Sequence, residues 1–304
     1  MPISIIIPYY NREKFLKKTL LSVNRQTYRP IELILVDNGS DDDSASICKD
    51  FYNKYNNDDF QIKLLEESQK GACYARNKGS ESATNDYIYF FDSDDVMSPD
   101  FVEDVIHEIN ISLPKYDVIA VRTNLVLSNG SRYTRKSYYK NSIVDQIVMS
   151  TLSTQSMVLR KDFFDNIGRW NNDIKYWNDW ELGIRVMLNK PEIKWLRKKS
   201  YHEIVCHPNS ITGVNFSDRY GMILQAIEHA RNITKNEIAA QRALTALQII
   251  KSGQIYREHQ YELSDNMYRK ASLDNYPIPL QKIFYLYCKY IGTGAWWIYR
   301  NLLS

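Results

Sequence analysis

Between residues 4 and 111 short apolar runs and helical stretches alternate four times, and that rhythm limits the fold more than any other feature of the chain. Residues 4–8 are largely β-branched and apolar, as a strand buried on both faces should be. Phe15, Leu16, Leu20 and Val23 then recur at helical spacing. A second apolar run, 31–36, closes on the turn sequence Asp37-Asn38-Gly39-Ser40, and a helix over 44–55 and a strand over 61–65 follow. Gly71 opens a loop, 72–82 reads as helix, and 87–91 as a fourth strand ending in Asp92-Ser93-Asp94-Asp95. Residues 99–111 make another helix, with Pro99 near its first turn. This repetition specifies an α/β fold with a mainly parallel central sheet flanked by helices. In such sheets ligands bind beyond the carboxyl ends of the strands, and two of those ends carry acidic turns.

Further along the pattern is mixed. Residues 117–123 and 156–160 are strand-like, 125–133 reads as a hairpin turning at Asn129-Gly130, and 179–189 as a helix. Beyond about 216 strand signals fade, and helices are expected over 217–233, 237–252, 255–271 and 279–303. The chain of 304 residues carries a net charge of +3, which gives no case for nucleic-acid binding. Tyr is used 23 times; its flat apolar face and hydroxyl suit nucleotides and sugars, and ordinary core and surface use explains it equally. Cys48, Cys73, Cys206 and Cys288 are too widely spaced for a metal knuckle or redox pair. With no secretory signal at the start of the sequence, reduced thiols in a cytoplasm are expected.

Three carboxylates within residues 92–95, at the end of a buried strand, are costly without a cation. Mg²⁺ or Mn²⁺, held by one or two carboxylates and completed by substrate phosphates, relieves that cost. A turn with a helix cap at Ser98 or Asp100 is the plainer explanation of the same residues. Asp37 can accept hydrogen bonds from a base or ribose, or close a generic turn. Asp179, in Trp177-Asn178-Asp179-Trp180-Glu181, starts a helix, where a carboxylate stays ionised and suits a general base or an N-cap.

Taken in order, Ser4-Ile5-Ile6-Ile7-Pro8-Tyr9-Tyr10-Asn11, Val36-Asp37-Asn38-Gly39-Ser40-Asp41-Asp42, Gly71-Ala72-Cys73-Tyr74-Ala75-Arg76-Asn77-Lys78-Gly79, Asp92-Ser93-Asp94-Asp95 and Asn178-Asp179-Trp180-Glu181 resemble the family 2 inverting glycosyltransferases of the GT-A fold. The resemblance covers roughly residues 2–215. It implies a catalytic domain over 1–215, with a nucleotide-binding half at 1–98 and an acceptor-binding half at 99–215, followed by a helical region at 216–304. It implies that Pro8 and Tyr10 cradle the nucleoside, that Asp37 reads the base (usually uracil), and that Arg76 lines the nucleotide pocket. Asp92, Ser93 and Asp94 would meet the ribose and the metal-diphosphate, with Asp95 a weaker candidate. Asp94 and Asp92 would hold the metal, and Asp179 would be the catalytic base. The family motif there is usually Glu-Asp, and Asn178 stands where the Glu would be.

His207, in His207-Pro208-Asn209-Ser210, resembles a segment that closes the family's catalytic domain and is a candidate for the metal or diphosphate, or an unliganded loop histidine. His202 nearby has no carboxylate or cysteine partners for a zinc site. Gln155, Trp177 and Asn178 are candidates for sugar or acceptor contacts. The expected activity is transfer of a sugar from a nucleotide diphosphate donor, UDP-sugar by family expectation, to a hydroxyl of a growing or lipid-linked glycan in bacterial surface polysaccharide synthesis. A sugar-phosphate nucleotidyltransferase would share the metal carboxylates but should show a Gly- and Arg/Lys-rich loop where this chain has Pro8-Tyr9-Tyr10-Asn11. A catalytically inactive sugar-binding scaffold would share the fold. Residues 279–303 mix aromatics with Lys282, Lys289 and Arg300, which suits peripheral contact with the inner face of a membrane, a packing helix or a homodimer contact; Gly292 and Gly294 should break the segment.

Overall fold

The computed structural model describes residues 3–112, 115–127, 129–134, 142–205, 215–271 and 278–299. In chain order, β1 (Ile3–Tyr9), α1 (Glu13–Asn24), β2 (Ile31–Asp37), α2 (Ser44–Tyr55), β3 (Phe60–Glu66), α3 (Ala72–Ser82) and β4 (Tyr87–Phe90) realise the alternation. They are followed by β5 (Val96–Met97), α4 (Phe101–Ile111), β6 (Val118–Val126), β7 (Arg132–Thr134), α5 (Ile143–Met149), β8 (Met157–Arg160), α6 (Lys161–Asn166), α7 (Asn178–Leu188) and β9 (Ile193–Val205). Helices α8 (Tyr220–Ile233), α9 (Ile238–Arg257), α10 (Tyr261–Arg269), α11 (Ile278–Tyr290) and α12 (Ala295–Ile298) complete the described chain. Two compact units result, one from Met1–Tyr139, Leu152–Asp173 and Asn189–Asn209, the other from Lys140–Thr151, Ile174–Leu188 and Ser210–Ser304.

The first unit is built on a sheet in the order β3-β2-β1-β4-β8-β6-β9-β5, with β7 paired to β6. Its first four strands are parallel, and β8 runs antiparallel to both β4 and β6. Alternate side chains face opposite sides of a strand. Ile5, Ile7, Leu33 and Leu35 therefore share a core with Leu16, Leu20 and Val23 of α1 and with Val102, Val105 and Ile106 of α4. Ile6 and Val36 point the other way, toward α3, where a Cβ at Gly79 would stand 2.4 Å from Ile6 Cγ2 and 3.2 Å from Val36 Cγ2. Helices thus cover both faces. The chain winds from β1 out to β3 and returns to place β4 on the other side of β1, so the order reverses between β1 and β4, the position at which open α/β sheets bind ligands.

Strand β9 was not legible in the sequence. Its pairing with β6 slips between Leu196 (opposite Val121) and Ser200 (opposite Arg122), so Arg197-Lys198-Lys199 falls in the irregularity and breaks the alternation that marks a strand. The expected hairpin is present, Leu125 facing Tyr133.

The second unit is helical among the described residues, with a core of Ile223, Ile227, Ala243, Leu244, Leu247, Phe284 and Cys288 around Trp180 and Ile184. Helix α9 runs on to Arg257 and α10 starts only at Tyr261, a later break than the expected helices at 237–252 and 255–271. At Gly253 a Cβ would stand 2.5 Å from the backbone of Cys288, so α11 lies directly on α9 there. Between α11 and α12 both Gly292 and Gly294 adopt positive φ, the break expected of them. Among the described residues no helix is long and apolar enough to cross a membrane.

Candidate active site

The end of β1 is pinned to the turn after β2. Pro8 is buried and Tyr10 exposed, and the Asn38 amide donates to the Tyr9 carbonyl at 2.9 Å. Asn11, at φ 52°, receives the Asp41 amide on its Oδ1 (3.0 Å) and donates its own amide to Ser40 Oγ (3.1 Å). Asp37 is oriented rather than mobile: its Oδ1 accepts from the Ser40 amide (2.9 Å) and hydroxyl (2.7 Å). Asn38 then ties in the loop ahead of α3, donating to the carbonyls of Glu67 and Gln69 and accepting from the Gly71 amide at 2.7 Å. Lys70 donates to the Asn38 and Gly39 carbonyls and lies 4.6 Å over the Tyr10 ring. Neither Lys70 nor Arg12 was singled out in the sequence, although Arg12 directly follows the first motif.

Beyond β4 the chain turns through the acidic residues. Thr19 of α1 donates to the carbonyls of Ser93 (3.0 Å) and Asp95 (2.9 Å), fixing the backbone. Arg76 of α3 donates to Asp92 Oδ1 at 2.8 Å, its guanidinium 4.5 Å over the Trp170 ring. Asn77 holds Trp170 by its backbone in both directions, donating to the carbonyl (2.9 Å) and accepting from the amide (3.1 Å). Arg12 Nε lies 3.6 Å from Asp94 Oδ2. The three carboxylates differ in access: the Asp92 side chain is 31% exposed, Asp94 17%, and Asp95 is buried at 2%. Burial, then the charges of Asp92 and Asp94, push the Asp95 carboxyl well above its ordinary range.

Gln155 enters the same turn. Its amide nitrogen donates to Asp92 Oδ2 and, at 2.6 Å, to Asp95 Oδ2. The Gln155 backbone carbonyl accepts the Tyr89 hydroxyl at 2.9 Å. Tyr89 has only that proton to give, so at its other contact, 2.9 Å, His202 Nε2 is the donor. Burial holds His202 neutral, its pKa lowered to about 3, among Tyr89, Phe91 and Phe101. It is a core histidine.

Asp179, Asn178 and Trp177 belong to the second unit. Asp179 sits in the first turn of α7 and accepts from the Trp180 amide at 2.8 Å. Trp177, at φ 61°, packs with Tyr176, Trp180 and Phe216. Glu181 closes the same motif on α7. It is fully buried, with Arg185 donating from Nε (2.7 Å) and Nη2 (2.8 Å) and His229 Nε2 at 3.0 Å, which ties α7 to α8. His207 lies outside the described residues, as does Cys206.

Among the described residues no group of three or more His, Cys, Asp and Glu side chains is arranged to hold a metal ion by itself. The donor set nevertheless suits a hard cation of the kind that takes one or two carboxylates and leaves its other positions to phosphate and water. All three carboxylates of the turn offer only oxygen, and burial, with the charges of Asp92 and Asp94 added to it, raises Asp95.

The sequence model of the family described as Glycosyl transferase family 2 matches residues 4–168. The chain spans well under half the length of several curated glycosyltransferases that it matches, 15%, 35% and 39% of them at identities of 39%, 36% and 44%. The minor teichoic acid biosynthesis protein GgaB of Bacillus subtilis is 28% identical over 208 residues, 66% of this chain and 22% of that one. Among solved structures, S. aureus TarS 1-349 in complex with UDP-GlcNAc aligns with a TM-score of 0.63 over 88% of this chain and 91% of that chain, at 18% identity. The mannosyltransferase PcManGT of Pyrobaculum calidifontis, in complex with GDP-Man and Mn²⁺, aligns with a TM-score of 0.58 over 98% and 86%, at 14% identity. At such identities the likeness carries the GT-A-type fold.

Proposed function

The chain belongs to glycosyl transferase family 2, and from that premise we propose that it moves a sugar from a nucleotide diphosphate donor, UDP-sugar in the first instance, to a hydroxyl of a glycan acceptor with inversion at the anomeric carbon. One observation carries the reading. Tyr10 and Arg12 after β1, Asp37 at the end of β2 and the 92–95 turn after β4 gather where the strand order reverses, with Ser40 hydrogen-bonded to Asp37, Arg76 of α3 to Asp92, and Arg12 beside Asp94. The donors in the TarS and PcManGT complexes and the role in the name of GgaB point to a nucleotide-sugar donor and to a cell-wall or surface-polysaccharide acceptor.

In this reading Pro8 and Tyr10 cradle the nucleoside, and Asp37, oriented by Ser40, reads the base. Arg76 and Gln155 fix Asp92 beside Ser93. Asp94, with Asp92 beside it, would hold Mn²⁺ or Mg²⁺, which when bound supplies positive charge to the departing diphosphate. Asp179 takes the proton of the acceptor hydroxyl as its oxygen bonds to the anomeric carbon and the bond from that carbon to the diphosphate oxygen breaks. No covalent sugar–enzyme intermediate is needed. A thermal-shift screen of nucleotide sugars with Mn²⁺ tests donor binding, and donor hydrolysis with and without EDTA separates the enzyme from an inactive scaffold. A protein that gains no thermal stability from any nucleotide sugar refutes the reading.

Peripheral membrane contact is part of the proposal. On α11, Leu280, Ile283, Leu286 and Tyr290 are exposed, Ile283 at 63% and Tyr290 at 68%, with Ile291 just beyond, while Gln281, Phe284, Tyr285 and Cys288 face the core. The exposed residues share one stripe at helical spacing, bordered by exposed Lys282, and the helix contains no acidic residue. Deleting α11 would strip the core of Phe284 and Cys288, so the test keeps the helix. Ile283→Ser with Leu286→Ser should abolish flotation with vesicles containing anionic lipid; unchanged flotation, or none by the parent protein, counts against it.

A further inference from the structure

Resting on the reading of Asp179 as the base, we propose that Trp177 is a positioning residue: its ring, gripped by neighbouring aromatic rings and the Lys251 amine, holds the chain in the left-handed turn from which Asp179 enters α7. The entry to this helix breaks two local rules. The Trp177 carbonyl accepts the first helical bond, from the Glu181 amide at 2.9 Å, so Trp177 caps α7. That position ordinarily takes extended backbone and a small polar side chain. Here it carries an indole at φ 61°, where a bulky residue is an outlier. Such conformations persist only where the surroundings over-determine them, and they gather at functional sites. Asp179 follows two residues later, and its Oδ1 accepts from the Trp180 amide at 2.8 Å, which ties the carboxylate to the same first turn.

The surroundings supply that grip. The Trp177 ring lies 5.9 Å from Tyr176, at 22° to it, 5.2 Å from Trp180 and 6.4 Å from Phe216. The Lys251 amine stands 5.3 Å over the Trp177 ring and 3.8 Å over that of Phe216, so one cation holds two rings. Lys251 is fixed in turn by donating to Gln254 Oε1 at 2.8 Å. Glu258, which follows α9, fixes the backbone of Phe216 by accepting the amides of Phe216 (2.9 Å) and Ser217 (2.8 Å). Both anchors therefore belong to the last turns of α9, and the aromatic ring carries their hold across to the start of α7. A sugar platform needs an open aromatic face, and Lys251 stands over a face of this one. Packing thus explains the ring, and the left-handed turn explains why the ring must be held.

Positioning and acceptor contact separate when water is the acceptor. Release of UDP from UDP-GlcNAc with Mn²⁺ present offers no glycan for the ring to touch, yet still draws on Asp179 to take a proton. A misplacement of about 1 Å costs about 10²-fold, so Trp177→Ala should lower the turnover of this hydrolysis by about 10–100-fold with KM changed by less than about 2-fold. Trp177→Gly reaches positive φ without a steric penalty and should be at least about 5-fold faster than Trp177→Ala. Unchanged hydrolysis by folded Trp177→Ala gives the ring to the acceptor and overturns the proposal, as does Trp177→Gly no faster than Trp177→Ala. A second readout needs no donor: hydrogen exchange at the Glu181 amide, which is bonded to the Trp177 carbonyl. Exchange should be at least about 5-fold faster in Trp177→Ala than in Trp177→Gly, and equal rates overturn the proposal. Should Trp177→Ala fail to fold, Lys251→Met keeps the ring, removes the cation and should lower turnover by about 2–5-fold at unchanged KM; unchanged turnover again overturns it. Hydrolysis that survives Asp179→Asn, or a parent protein that binds no UDP, sinks the functional reading instead, and the exchange rates still decide the geometry, which keeps the two failures apart.

Discussion

Replacing Gly79 by Ala should destabilise the protein, although the same change in most helices does the opposite. Gly79 lies within α3, where Ala is favoured over Gly by about 1 kcal/mol. Here the new methyl would stand 2.4 Å from Ile6 Cγ2 and 3.2 Å from Val36 Cγ2, against a normal carbon–carbon separation of about 3.5–4.0 Å. Ile6 is fully buried in a central strand, and its Cγ2 sits one bond from Cβ, so it cannot swing aside. The helix must lift by about 1 Å, and overpacking of this kind costs about 1–3 kcal/mol. Set against the propensity gain, the net loss should reach about 2 kcal/mol, read from urea unfolding. Arg76 lies one turn earlier on the same helix, bonded to Asp92 at 2.8 Å. A shift of about 1 Å stretches that bond beyond hydrogen-bonding distance, so donor affinity should fall as well. Removing the obstructing methyl in an Ile6→Ala background should make the Gly79→Ala cost vanish, a coupling of about 1–3 kcal/mol in the double-mutant cycle. A Gly79→Ala protein more stable than its parent would refute the packing of α3 on β1 and β2.

Asp179→Asn should retain UDP-sugar affinity and lose transfer by about 10²–10⁴-fold in single-turnover assays; near-normal turnover removes Asp179 as base. Glu181→Gln leaves Arg185 and His229 facing a neutral group in a buried site and should cost about 3 kcal/mol in urea unfolding, whereas a loss below about 0.5 kcal/mol would mean the network does not anchor α7. Lys251, whose amine lies 3.8 Å over the Phe216 ring, is lowered by burial from 10.5 to about 7. Between those values the unfolded chain binds more protons than the folded one, so stability should rise as pH climbs from about 7 toward 10. In Lys251→Met the rise should flatten; a parent whose stability falls over that window contradicts the burial.

The parts of the fold that announced themselves were those whose cause is local. Four apolar runs with helical stretches between them gave the parallel strands, and Gly292 and Gly294 marked the break after α11, because side-chain periodicity and glycine conformation are written in adjacent residues. What escaped depends on distant partners. Strand β9 is interrupted by Arg197-Lys198-Lys199, and Lys199 is accommodated by Asp100 and Asp104, nearly a hundred residues earlier. Asp100 reads locally as a helix cap, and only the folded chain shows that it and Asp104 also neutralise a charged bulge.

The acidic turn shows the same limit more sharply. The local pattern shows three carboxylates and admits either a cation that offsets them or a turn with a helix cap. It could not say that the three are unequal, because what separates them comes from Arg76 on α3, Gln155 before β8, Val205 at the end of β9 and Arg12 after β1. Gln155 is a candidate sugar contact in the sequence, and its amide donates to two of the carboxylates. Motif residues of one type in one turn are thus given different chemistry by the strands brought beside them.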